Sequence, residues 1–185
     1  ACTMPFLAFL KAGDHCLIPD SVYGPTRRFA NNTLKRFGIH TTYYPPQASK
    51  EELEALILPT TRMVFTESPG SHTFEVQDIP MLATCAHAHN ALLVLDNTWG
   101  FGIFAPFEHG VDISIQALTK YPSGHSDVIA GAITVNQKKL WHTLRDTAIE
   151  LGQVAGTDDC WLTLRGLSTR GDRLAHPALP APDIA

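Results

Sequence analysis

Short runs of apolar, β-branched or aromatic residues recur along this chain, and longer segments of mixed polarity separate them. Several runs are apolar without alternation, as expected for strands that are buried on both faces of a sheet. The predicted strands cover residues 16–19, 39–44, 62–66, 91–95, 111–118 and 128–135.

The segments between these runs carry helix start and stop signals. Pro25 stands near the first turn of one predicted helix and Gly38 just past its end. Ser49-Lys50-Glu51-Glu52 is a capping box that opens another. The predicted helices cover residues 25–37, 49–58, 78–89, 137–151 and 158–174. Alternating strands and helices predict an α/β fold whose mostly parallel sheet is covered on both faces, with ligand sites beyond the carboxyl ends of the strands.

Composition places the chain among globular proteins. Its 185 residues are 44% hydrophobic and 17% charged, which suits one domain with a sizeable core. The net charge of −4 and the lack of a basic run exclude the usual footprint of a nucleic-acid-binding protein. The longest apolar runs, such as residues 91–95, are too short to cross a bilayer, so no membrane partner is expected.

The cysteines favour a reducing compartment. All four are scattered and form no Cys-x-x-Cys pair, so no disulfide framework is expected. No signal-peptide pattern opens the chain, and we therefore expect a cytoplasmic protein. His87 and His89 follow Cys85 at two-residue spacing, but such positions do not share a helix face, so no metal site is expected there.

Common nucleotide and hydrolase motifs are absent. No P-loop pattern occurs, no Gly-x-Gly-x-x-Gly follows a predicted strand, and residues 124–128 fail the Gly-x-Ser-x-Gly pattern at its last position. Nucleotide hydrolysis, dinucleotide binding and serine hydrolysis therefore lose their usual support.

Two polar residues stand at strand ends where chemistry is expected. Asp96 follows the apolar run 91–95, and Thr119-Lys120 follows the run 111–118. A pyridoxal-phosphate (PLP) site needs a lysine for the cofactor aldehyde and a carboxylate for the pyridinium nitrogen. Spacing alone favours simpler roles, because a strand-terminal Asp is more often a helix or turn cap and a lone Lys is more often a solvated loop residue.

Six segments in order resemble the Cys/Met-metabolism family of PLP-dependent enzymes. The most specific are Asp96-Asn97-Thr98-Trp99 and Thr119-Lys120-Tyr121, and the others are residues 20–26, 67–71, 124–127 and 161–167. The resemblance implies the large domain of the aspartate-aminotransferase-like fold type I, with PLP as the cofactor.

The resemblance also implies a role for each matched residue. Lys120 matches the lysine that binds the cofactor aldehyde covalently and later moves the substrate Cα proton. Asp96 matches the partner of the pyridinium nitrogen, Tyr23 the tyrosine that stacks on the cofactor ring, and Thr119 a phosphate-binding hydroxyl. Ala117 stands where many relatives carry another phosphate-binding Ser. From its position alone, Tyr23 fits an aromatic that packs a helix start on the sheet.

Two segments bear on the reaction. Gly70-Ser71 and residues 124–127 resemble bacterial cystathionine β-lyases, whereas γ-acting members usually carry Ala-Asn in place of Gly70-Ser71. The implied substrate is an amino-acid thioether, cystathionine, cleaved to homocysteine, pyruvate and ammonia. Two alternatives stay open: a γ-lyase or γ-synthase on the same scaffold, and a truncated homologue without catalysis.

The resemblance further implies that the chain is a fragment. It does not begin with Met, and relatives carry a phosphate-binding loop upstream and a carboxylate-binding arginine in a C-terminal domain. We expect residues 1–156 to form the core of the PLP-binding domain, 157–174 an inter-domain helix and 175–185 an irregular remnant of the C-terminal domain. The fragment alone is expected to be a poor catalyst, and the complete protein a homotetramer.

Overall fold

A six-stranded sheet forms the centre of the fold. A computed structural model describes residues 1–178. The strands are β1 (His15–Pro19), β2 (His40–Tyr44), β3 (Thr61–Glu67), β4 (Leu92–Asp96), β5 (Ile113–Ala117) and β6 (Gly131–Val135). Their order in the sheet is β2-β1-β3-β4-β5-β6, and every neighbouring pair is parallel except β5 and β6. The predicted α/β class with a mostly parallel sheet is confirmed.

Helices connect the strands and cover the sheet. They are α1 (Met4–Phe9), α2 (Gly24–Phe29), α3 (Lys50–Leu56), α4 (Ile79–Ala88), α5 (Lys138–Glu150), α6 (Thr157–Leu167) and α7 (Arg170–Ala178). A π-helical segment, Ala30–Leu34, continues α2, and a 3-10 turn covers Pro106–His109. Among the residues that the structure describes, no helix combines the length and apolarity needed to cross a membrane.

Each face of the sheet carries its own hydrophobic cluster. Ile18 packs with Phe6 and Phe65 on the face covered by α1 and α5, and the two phenyl rings stack with centroids 5.2 Å apart. The next residue back, Leu17, packs with Leu82 of α4 on the opposite face. Because successive side chains of a strand point to opposite faces, a strand between two helical layers is apolar on both faces along most of its length. Full burial of one such side chain is worth about 1.5–3 kcal/mol.

The helix signals in the sequence act as predicted. The Ser49 hydroxyl accepts the Glu52 N–H at 3.2 Å, and the Glu52 carboxylate accepts the Ser49 N–H at 2.8 Å, which confirms the capping box at the start of α3. Asp78 caps α4 by accepting the Met81 N–H at 3.0 Å. Gly38 has a φ of +71° at the end of the helix before β2, a conformation that glycine adopts without strain.

The helix predicted over residues 158–174 is wrong as a single element. It is split into α6 and α7, because the hydroxyls of Ser168 and Thr169 donate to the carbonyl oxygens of Arg165 and Gly166 and so end α6. Residues 175–178 were expected to be irregular but belong to α7. The rest of the predicted remnant, 179–185, lies outside the described residues.

Helix α6 packs closely on the loop that follows β5. A Cβ atom added to Gly166 would fall far inside van der Waals contact with the Ser123 carbonyl oxygen. Ser123 is buried, and its hydroxyl donates to the Thr119 carbonyl at 3.1 Å. The glycine therefore lets the helix hold the turn that contains Thr119 and Lys120.

Replacing Gly166 by Ala should lower the free energy of unfolding by about 1–3 kcal/mol, as overpacking of a close contact does. Urea denaturation followed by circular dichroism measures the change. Gly171→Ala in α7 is the matched control, because a Cβ there would meet nothing within 4 Å. That control should stabilise the helix by about 0.5–1 kcal/mol. Equal effects of the two substitutions would contradict the close packing of α6.

Candidate active site

The carboxyl ends of three parallel strands carry the candidate site. Glu67 ends β3, Asp96 ends β4, and these two residues are paired in register. Asp96 also pairs with Ile115 of β5, five residues before Lys120 in the chain. The site predicted at this edge of the sheet is therefore assembled from loops that follow neighbouring strands.

Asp96 is buried and held by three donors. Its Oδ1 accepts the Thr98 N–H at 3.1 Å and the Thr98 hydroxyl at 2.6 Å, while its Oδ2 accepts the Cys2 thiol at 3.3 Å. The Thr98 hydroxyl in turn accepts the N–H of Ala117 at 2.8 Å. This chain of hydrogen bonds joins the end of β4 to the end of β5.

Lys120 lies in the turn that follows β5. Its N–H donates to the Ala117 carbonyl at 3.1 Å, and its carbonyl accepts the Gly124 N–H at 2.8 Å. The residue is exposed, and within the described part of the chain its amine forms no hydrogen bond or ion pair. The backbone of this residue is thus held by hydrogen bonds, while its amine is exposed and has no partner among the described residues.

Thr119 uses its hydroxyl within the protein. The hydroxyl donates to the Ala130 carbonyl at 3.1 Å and accepts the Ala130 N–H at 3.1 Å. One lone pair of the oxygen remains, but its single proton is engaged. A phosphate oxygen would therefore have to compete with the Ala130 carbonyl for this donor, and the phosphate role of Thr119 stays a prediction.

Tyr23 stands at the start of α2, on the loop after β1. Its backbone N–H donates to the Glu67 carboxylate at 2.8 Å. The residue is 48% exposed. Tyr23 is therefore tied to the same edge of the sheet through its backbone, with its ring open to a ligand.

Glu67 was not among the residues predicted for the site. Its carboxylate is buried and accepts the N–H of Tyr23 and the hydroxyl of Ser71. Burial raises the pKa of Glu67 to about 7, and the nearby Asp96 charge adds to the rise, while the hydrogen bonds from Ser71 and Tyr23 oppose it. The only signal in the sequence was a charged residue at the end of an apolar strand.

Cys2 brings a thiol to the same carboxylates. Burial raises the pKa of Cys2 to about 12, and both the charge of Asp96 and the hydrogen bond to it act in the same direction. The thiol is therefore protonated at neutral pH and acts as a weak hydrogen-bond donor to Asp96.

Both segments that resemble β-lyases have a side chain that contacts another part of the protein, but the partners differ. Ser71 donates to buried Glu67, so its hydroxyl serves the protein itself. Asp127, in the segment after Lys120, forms an ion pair with Arg165 of α6. The free amine of Lys120 and the buried carboxylate of Asp96 are together suited to a carbonyl cofactor with a basic ring nitrogen.

Relatives of this chain carry several enzyme names. This chain is 41% identical over 183 residues to the cystathionine beta-lyase of Bordetella avium, and the match covers 98% of this chain and 46% of that protein. It is 36% identical over 186 residues to an L-alanine/L-glutamate racemase of Wolbachia pipientis, covering 100% of this chain and 45% of the racemase. The chain thus spans slightly less than half the length of these curated relatives.

A solved structure has the same fold. The cystathionine gamma-lyase of Lactobacillus plantarum, complexed with L-serine, superposes with a TM-score of 0.87 at 31% identity, covering 91% of this chain and 44% of that one. The sequence pattern of the family described as Cys/Met metabolism PLP-dependent enzyme matches residues 1–185, and the chain therefore belongs to this family.

Proposed function

We propose that the protein is a PLP-dependent carbon–sulfur β-lyase that converts cystathionine to homocysteine, pyruvate and ammonia. The observation that carries the proposal is the hydrogen-bond chain from Asp96 through Thr98 to Ala117, which ties a buried carboxylate to the turn bearing the free Lys120 amine. The identity to a cystathionine beta-lyase over nearly the whole chain supports it.

The residues present fit the cofactor at two of its groups. A carboxylate offers about four lone-pair positions, and Asp96 uses three. One lone-pair position of Asp96 therefore remains for a ring N–H. A second position becomes available where the ring N–H displaces the weak thiol donor of Cys2. Lys120 offers an amine without a competing partner among the described residues, so an aldehyde can react with it.

We assign roles to the chain's own residues from the family resemblance, and their positions support the assignment. PLP, when bound, supplies an electron sink that stabilises negative charge at the substrate Cα. Asp96 would hold the proton on the ring nitrogen, which would keep that sink strong. Lys120 would bind the cofactor aldehyde through its amine and, once that amine is free, would take the proton from the substrate Cα. Tyr23 would stack on the ring, and Thr119 would help to bind the phosphate if its hydroxyl turned away from Ala130.

The β-side cleavage needs only one proton taken from carbon. Loss of the Cα proton is followed by cleavage of the Cβ–S bond, and the sulfur leaves as homocysteine. Water then hydrolyses the remaining three-carbon enamine to pyruvate and ammonia. A γ-elimination requires a second deprotonation at Cβ. The Gly70-Ser71 pair, which resembles that of β-lyases, favours β-elimination.

A γ-lyase is the second candidate function. It is favoured by the close superposition on a cystathionine gamma-lyase, with a TM-score of 0.87. Both reactions begin with the same Cα deprotonation, so the same Lys120 and Asp96 would serve either of them. A cytoplasmic homotetramer of the complete protein remains a prediction.

Borohydride reduction after PLP addition should attach the pyridoxyl group to Lys120, because its amine is exposed and unpaired among the described residues. Peptide mapping by mass spectrometry locates the label. Lys120→Ala should abolish labelling and the visible absorbance of bound cofactor, while Lys138→Ala, at an exposed position, should change neither. Labelling of Lys11, Lys35, Lys50, Lys138 or Lys139 instead would contradict the assignment, and no labelling at all would favour a non-catalytic homologue.

Asp96→Asn should reduce turnover at least about tenfold, because a charged hydrogen bond to the ring nitrogen is worth roughly 1.5–3 kcal/mol. Steady-state kinetics of the complete protein and the absorbance of bound PLP measure the loss. Asp146→Asn is the control, since its carboxylate is exposed and its one ion-pair partner within residues 1–178 is Arg145. Unchanged turnover in Asp96→Asn would exclude the ring-nitrogen role.

Cystathionine given to the complete protein should yield pyruvate, ammonia and homocysteine as the main products. Chromatography of the products with a lactate-dehydrogenase assay for pyruvate measures the outcome. 2-Oxobutyrate and cysteine as main products would replace the β-lyase proposal with the γ-lyase one.

A further inference from the structure

Glu67 joins the loop after β1 to the loop after β3. It is 4% exposed, and its carboxylate lies between the N–H of Tyr23 on the loop after β1 and the hydroxyl of Ser71 on the loop after β3. The Ser71 N–H also donates to the Ser21 carbonyl at 3.0 Å. The Gln77 side chain donates to the Glu67 carbonyl at 2.8 Å, so the backbone of Glu67 is held as well.

Gly70 permits the close approach of these loops. A Cβ atom at residue 70 would lie 2.6 Å from the Ser21 hydroxyl oxygen and 2.7 Å from the Ser21 Cβ, both too near for ordinary packing. The Gly70-Ser71 pair thus has two distinct tasks. The glycine lets the turn reach the loop after β1, and the serine then binds the carboxylate that holds Tyr23.

We propose that Glu67 is a positioning residue for Tyr23, and that Gly70-Ser71 influences the reaction by fixing Glu67 rather than by touching the substrate. The role of Tyr23 as the ring-stacking residue rests on the proposed function. Because the Tyr23 side chain is half exposed, its placement depends on its backbone, and the only partner of its N–H among the described residues is Glu67.

The arrangement also makes Tyr23 sensitive to pH. The titratable groups that act on Glu67 are Asp96 on β4 and Cys2 before α1. With a pKa of about 7, the carboxyl gains a proton near neutrality, and a protonated oxygen no longer accepts a hydrogen bond in the same way. In the folded protein the pKa of Glu67 lies above its ordinary value of 4.5. The contribution of Glu67 to the free energy of unfolding is therefore fully present below pH 4.5 and is lost as the pH rises to about 7.

The backbone amide of Tyr23 reports directly on this contact. In ¹⁵N-labelled protein, its amide resonance should shift with pH with a midpoint of about 7. Glu67→Gln should keep the amide protected from hydrogen exchange, because the side-chain carbonyl still accepts the N–H, but should abolish the titration. Glu67→Leu removes the acceptor and should raise amide exchange at Tyr23 at least about tenfold.

Ser71 offers a milder pair of variants. Ser71→Ala should raise exchange at the Tyr23 amide, because Glu67 loses its second donor, whereas Ser71→Thr keeps a hydroxyl and should restore protection. Glu51→Gln, at an exposed position on α3, is the control and should leave the Tyr23 amide unchanged. If Glu67→Leu does not fold, the Glu67→Gln and Ser71 variants still test the proposal.

Titration with PLP, followed by visible absorbance, separates this proposal from the proposed function. Glu67→Leu and Ser71→Ala should weaken PLP binding severalfold, with borohydride labelling still confined to Lys120. An amide of Tyr23 that neither titrates near neutrality nor responds to Ser71→Ala would overturn the positioning role. A responsive amide in a chain that binds no PLP would leave the contact standing and remove the proposed function instead.

Discussion

The hydroxyl of Thr98 joins the two strand ends on which the site depends. It donates to Asp96 at 2.6 Å and accepts the N–H of Ala117 at 2.8 Å. A buried carboxylate is costly unless its oxygens are hydrogen-bonded, so this hydroxyl makes the burial of Asp96 tolerable. It also links the end of β4 to the end of β5, three residues before Lys120.

The turn around Lys120 is held from several directions. Thr119 binds Ala130 through both its backbone and its hydroxyl, and Ser123 packs against Gly166 of α6. The Arg173 guanidinium donates to the Tyr121 carbonyl at 2.7 Å. A rigid backbone with a free amine is what a covalent cofactor site requires, because the reacting nitrogen must be accessible while its attachment point stays in place.

On the β3 side of Asp96, the loops after β1 and β3 are also held by hydrogen bonds to a buried group, the carboxylate of Glu67. Burial raises the pKa of Glu67, and the charge of neighbouring Asp96 adds to the rise, so Glu67 holds its proton to higher pH than usual. The cost of burying this group is offset in part by the hydrogen bonds that it accepts from Tyr23 and Ser71, and these bonds hold two loops at once. A difference of one methyl group or one hydroxyl at residues 70 and 71 would therefore be transmitted to Tyr23 without any contact with a ligand.

Local patterns in the sequence predicted most of the fold and part of the site. The apolar strands, the Ser49 capping box and the glycine after the second helix depend on neighbouring residues, so they were predictable from the chain itself. Motif resemblance identified the candidate site residues Lys120, Asp96, Tyr23 and Thr119, and their chemical roles remain predictions. The break between α6 and α7 was missed because the hydroxyls of Ser168 and Thr169 compete with helical hydrogen bonds.

The sequence by itself determined the family, the α/β class and the strand ends that carry polar residues. Only the tertiary structure decided how those ends are connected. Glu67 and Tyr23 are 44 residues apart, and Asp96 and Cys2 are 94 apart, so neither contact leaves a periodic or local signal. The same holds for Thr119, whose hydroxyl is engaged by Ala130 across the loop. These hydrogen bonds join segments that are separated in the sequence and that only the fold brings together.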